Sequence, residues 1–191
     1  MAVVPPDAAL VVRVRDAAGL RKDPSFGAAQ AALGRFAGDR MLSMAWGAMA
    51  SQMATDPAAL FDAVLGSDAT YAERMHDGQL EWAVLTRLDQ PTYDRLVEHL
   101  KPAMLGGGTV AFAPQGLVAA WRAPYLVVGS KDHAGLWKEM LARVETAAPS
   151  LADQAEVKHA ATWPAGRIEV VARTAKGGMV TASATLQDGA L

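Results

Sequence analysis

The stretch Ala69-Thr70-Tyr71-Ala72-Glu73-Arg74-Met75-His76-Asp77-Gly78-Gln79-Leu80-Glu81-Trp82-Ala83-Val84-Leu85-Thr86-Arg87-Leu88-Asp89-Gln90-Pro91 decides the fold class. Residues 69–75 and 80–88 read as strands joined through Asp77-Gly78, a pair suited to the positive φ angles of a tight hairpin turn. In the second strand Leu80, Trp82, Val84 and Thr86 share one face, and Glu81, Ala83, Leu85 and Arg87 the other. Asp89-Gln90-Pro91 then starts a helix, with Tyr93, Leu96, Val97 and Leu100 forming an i, i+3, i+4, i+7 stripe.

The same order of strand, aspartate and helix recurs outward from this stretch. Residues 10–22, Leu-Val-Val-Arg-Val-Arg-Asp-Ala-Ala-Gly-Leu-Arg-Lys, and 126–138, Leu-Val-Val-Gly-Ser-Lys-Asp-His-Ala-Gly-Leu-Trp-Lys, match at eight of thirteen positions. In each copy the aspartate (Asp16, Asp89, Asp132) falls where a helix N-cap accepts backbone N–H bonds, and Asp56 before Pro57 is a fourth cap of this kind. Short strands at about 109–113, 117–121 and 125–129 form an antiparallel meander. A helix follows with Leu136, Trp137, Met140, Leu141 and Val144 toward the sheet, and residues 167–173 and 179–187 read as a terminal hairpin. The expected fold is α+β, a mostly antiparallel sheet with helices packed on one face, built from related strand-Asp-helix units. The expected divisions are an α+β domain over 1–146, a polar, Ala/Pro-rich linker over 147–166, and a hairpin over 167–191 that begins a continuing domain.

Composition narrows the function classes. At 191 residues with a formal net charge of -2, the chain scatters its basic residues singly, against a nucleic-acid surface. No run approaches the roughly 20 apolar residues of a membrane-spanning helix. With no cysteine, disulfides, thiolate metal sites and cysteine nucleophiles are excluded. The first residues, Met1 to Asp7, lack the basic and apolar regions of a signal peptide.

Few residues carry a chemical pattern. Gly106-Gly107-Gly108 follow a helix and precede a strand, the reverse of a phosphate-binding loop, and read as a helix-terminal turn. The histidines His76, His99, His133 and His159 have no metal-ligand spacing, and Asp132-His133 is explained by capping. Glu73, Asp77 and Glu81 lie at and beside a hairpin turn, where acids are ordinarily solvated. Met41, Met44, Trp46, Met49 and Met53 crowd one helical region, as core filler or as the lining of an apolar cleft. Trp82, Trp121 and Trp137 fall on core faces, whereas Trp163, beside Pro164 and outside any apolar stripe, reads as a contact residue.

The segments Pro5 to Asp16, Leu65-Gly66-Ser67-Asp68 to Ala72, Trp82 to Asp89 and Tyr125 to Ser130 together resemble an uncharacterised family, a domain of unknown function in exported, envelope-associated bacterial proteins. The resemblance covers most of residues 5–145 and implies an extracytoplasmic setting and a domain that continues further. It brings no functional residues. The expected function is a non-enzymatic structural or protein-interaction module, without catalytic residues, cofactor or metal, whose partner is another protein, its own continuation or a second copy. The alternative is a small-molecule or lipid carrier using the Met/Trp-rich cleft around residues 41–61.

Overall fold

Side-chain alternation and tight turns bring nine strands among the described residues into one antiparallel sheet: β1 Leu10–Arg15, β2 Asp68–His76, β3 Gln79–Arg87, β4 Ala103–Gly106, β5 Thr109–Phe112, β6 Leu117–Arg122, β7 Tyr125–Ser130, β8 Ile168–Arg173 and β9 Met179–Ala184. The structure is a computed structural model that describes residues 3–22, 47–112, 116–146, 150–154, 157–158, 168–174 and 177–184. The strand order is β4-β5-β6-β7-β3-β2-β1-β8-β9. The helices are α1 Ala17–Lys22, α2 Pro57–Leu65, α3 Gln90–Leu100 and α4 Gly135–Glu145, with residues 47–52 also helical and a 3-10 turn at Leu151–Asp153.

The deciding hairpin forms as its sequence predicts. Asp77 and Gly78 take φ angles of 50° and 75°, and Ala72 stands opposite Ala83. Residues opposite one another share a face of the sheet. Val11, Ala72, Ala83, Leu85, Val127, Val118 and Ala120 therefore point one way, toward Leu136, Trp137 and Met140 of α4. Gly129 lies directly beneath Trp137, where any Cβ would come within 2.6 Å of the indole. That contact requires glycine.

The other face carries a second core. Val110, Ala119 and Leu126 pack with Ala50, Leu60 and Val64, Leu88 and Leu96, while Trp121 stacks on Tyr93 at 4.7 Å between ring centroids. The α+β class and the antiparallel sheet are as expected, but the helices divide between both faces instead of gathering on one. The cause is in β6 and β7, whose two faces supply one core each.

Three further expectations are corrected. The segment 147–166 is not a linker along its described residues: Leu151 and Val157 are in the first core, and the Leu151 N–H donates to the Val4 carbonyl at 2.7 Å. The hairpin β8–β9 is not set apart from the α+β domain over 1–146 but belongs to its sheet, because β8 pairs with β1 from Leu10 opposite Ala172 to Val14 opposite Ile168. The triple glycine does not end α3, whose cap is Lys101 in the left-handed region at φ 43°. It instead makes the turn from β4, a strand the sequence does not announce, into β5, with Gly107 and Gly108 at φ 56° and 70°.

The repeated units share sequence but not placement. Since β1 and β3 are both antiparallel to β2, they run the same way, whereas β7 is antiparallel to β3. Helices α1 and α3 thus leave one end of the sheet and α4 leaves the other.

Candidate functional site

Three of the four expected caps are in place. The Asp16 carboxylate accepts the Gly19 N–H at 3.1 Å, Asp56 that of Ala59 at 2.9 Å, and Asp89 that of Thr92 at 2.8 Å. The bonds from Thr92 hold the Asp89 carboxyl below its ordinary pKa. Asp132 is not a cap. Helix α4 begins three residues later, its N-cap is Ala134 with no side-chain bond, and the Gly135 N–H donates to Glu81 Oε1 at 3.1 Å. A buried carboxylate on β3 meets the helix terminus instead, where it satisfies an unpaired donor and lies at the favourable end of the helix dipole.

Glu81 is the most buried acid of an ionic cluster centred on Arg74. Its Oε2 accepts Arg74 Nε at 2.7 Å, while Arg74 Nη1 donates to Glu139 at 2.8 Å and to Asp7 at 3.0 Å. Arg143 closes the set on Glu139 at 2.7 Å. Burial pushes the Glu139 carboxyl upward, but bonds from Arg143 and Arg74 outweigh it, leaving the group below its ordinary value. These charges tie β2, β3, α4 and the N-terminal segment together, an anchoring role.

The acids Glu73, Asp77 and Glu81 do not meet. Glu73 faces away from Glu81 and accepts the Tyr71 hydroxyl at 2.7 Å, and Asp77 is exposed at the turn beside His76. Among the described residues no group of three or more His, Asp or Glu side chains is placed to hold a metal ion. No helix among them is long and apolar enough to cross a membrane. Met49 and Met53 pack on the second core as filler. Met41, Met44 and Trp46, and likewise Trp163 and Pro164, lie outside the described residues.

The surface that stands out is apolar. On the face opposite α4, Met75 stands across from Leu80, 60% and 47% exposed at the tip of the β2–β3 hairpin. The adjacent row runs Trp82, Glu73, Leu10, Ala172, Val180 across five strands, apolar except for Glu73, and ends on β9, where Val180 is 56% exposed. Strand β9 is one edge of the sheet, and its sequence, Met-Val-Thr-Ala-Ser-Ala, has no charge, proline or register break. The opposite edge is defended differently. Strand β4 has four residues, follows Lys101-Pro102, and is broken by an irregularity between Met104 and Gly106. Sequence reading missed this surface because the pairing of β1 with β8 that assembles it spans about 155 residues.

Fold and surface together define an α+β protein whose described residues form a nine-stranded antiparallel sheet with exposed apolar residues at one end and β9 as a border strand. Comparison with protein-family models, with curated proteins and with solved structures finds no match.

Proposed function

We propose that the chain is a non-enzymatic interaction module that extends its sheet by pairing β9 with a strand of a second copy. The observation that carries this reading is β9 itself, the last strand of the sheet among the described residues, six residues without a charge that include the exposed Val180. A strand at the border of a sheet accepts a further strand through backbone hydrogen bonds, and that addition buries its alternate side chains. An antiparallel self-pairing about Thr181 sets Val180 against Ala182 of the second copy, so the apolar row continues across the join. The charged groups that do converge, Arg74, Glu81, Glu139 and Arg143, are engaged with one another, which supports an architectural role over a catalytic one.

Sedimentation equilibrium over a hundredfold range of concentration tests the proposal. The expected result is a monomer–dimer equilibrium in the native chain that Val180→Lys shifts strongly to monomer, since an edge lysine opposes strand pairing. A native chain that stays monomeric throughout, or a Val180→Lys variant that dimerises equally well, overturns it.

A further inference from the structure

On the α4 face, at the end of the sheet away from the Arg74 cluster, a cleft of about 310 Å³ is lined by Val3, Arg13, Asp68, Thr70, Leu85 and Thr86, with Arg87 and Tyr125 at one wall. Its size is at the lower limit of small-molecule sites. The floor holds an unusual group. Thr70 is 5% exposed and lines the cleft, and among the described residues its hydroxyl has no protein hydrogen-bond partner, so it is open to a group bound there.

The charges are unequal. Arg13 is committed to Asp68 at 2.8 Å. Arg87 has no carboxylate partner among the described residues: it lies 5.5 Å above the Tyr125 ring and donates to the Tyr125 hydroxyl at 3.3 Å. That bond uses the tyrosine oxygen as acceptor and leaves its O–H free to donate. The Arg87 guanidinium, which feels Asp68 only at longer range than an ion pair, and the hydroxyls of Tyr125 and Thr70 thus face a cleft whose apolar wall is Leu85 and Val3. Asp68 beside them disfavours a second negative charge.

We infer that this cleft binds a small organic monocarboxylate, with its carboxylate on Arg87, Tyr125 and Thr70 and its apolar body on Leu85 and Val3. The site stands on the opposite face from the apolar row and does not depend on self-association.

Benzoate is a suitable probe, with benzamide as its neutral counterpart and inorganic sulfate as an anion lacking an apolar body. Titration followed by amide chemical shifts is expected to show saturable changes at Thr70, Leu85 and Tyr125 with benzoate, and at least about tenfold weaker effects with benzamide or sulfate. Arg87→Gln, an exposed position, is expected to weaken benzoate by about tenfold or more. Tyr125→Phe, which removes only the hydroxyl, is expected to weaken it several-fold and decides the matter should the arginine variant fold poorly. Absence of saturable shifts, equal binding of benzamide or sulfate, or full binding by Tyr125→Phe overturns the inference.

Discussion

Glu81 accepts the Gly135 N–H with one carboxylate oxygen and the Arg74 Nε–H with the other, so one side chain caps a helix and neutralises a buried cation. Asp132, the nearer residue in sequence, does neither. Two outcomes are expected from urea unfolding of point variants. Asp132→Ala should change stability by less than about 0.5 kcal/mol, while Asp56→Ala, which removes a formed cap, should lose about 1 kcal/mol. Glu81→Gln should lose about 3 kcal/mol, because a buried arginine then faces an amide donor. A loss on Asp132→Ala as large as on Asp56→Ala would return the capping role to the aspartate. The local spacing of strand, aspartate and helix made Asp16, Asp56 and Asp89 legible as caps. It misplaced the third repeat because the competing acceptor is 54 residues away, beyond any sequence window.

At the scale of elements, Gly129 and Trp137 fix how close α4 approaches the sheet. The indole occupies the space of a Cβ at residue 129, and its N–H donates to the Ser130 carbonyl at 3.1 Å. Gly129→Ala is therefore expected to cost about 1–3 kcal/mol through overpacking, measured by thermal or urea unfolding. A second substitution, Trp137→Leu, should make the alanine less harmful than it is alone, and simple additivity of the two would argue against the contact. Hairpins and helices with clean periodicity were readable from sequence: Asp77-Gly78, the α3 stripe and the β5–β7 meander all stand where their patterns put them. Strand β4 was not, since Ala-Met-Leu-Gly carries no alternation and only its pairing with β5 makes it a strand. Nor was the burial of Leu151 and Val157, two apolar residues set singly in a polar stretch that the N-terminal segment and α4 enclose.

Among the described residues three carboxyls have their ordinary pKa values lowered by folding: Asp89 by the Thr92 bonds, Glu139 by its arginines, and Asp153 by the Ser150 N–H and hydroxyl. A group whose pKa is lower in the folded state binds protons less readily there than in the unfolded chain. Its stabilising contribution is complete above the unfolded value, about 4, and is lost as pH falls through the folded one. Urea midpoints should hence be nearly flat between pH 5 and 7 and decline from about pH 4 to 3. A midpoint that rises on acidification would contradict these assignments. Amide exchange should be slowest in β3 and β7, which have a partner strand on each side and a helix above, and fastest in the edges β4 and β9. Under the self-pairing proposal, protection in β9 alone should grow with protein concentration.

The place of β1 in the sheet has a further consequence, for the order in which the chain is made. This strand is synthesised before the other described strands and gains β2 early, but its other neighbour, β8, follows only after about 150 more residues. Until then β1 is itself an exposed border, carrying Val12 and Val14 on one side and Arg13 and Arg15 on the other. Those arginines act meanwhile as gatekeepers, a repulsive guard against one nascent chain joining another. Completion of the sheet disarms them: Arg15 meets Glu169 at 2.8 Å, an acid delivered by the strand the guard was reserving space for.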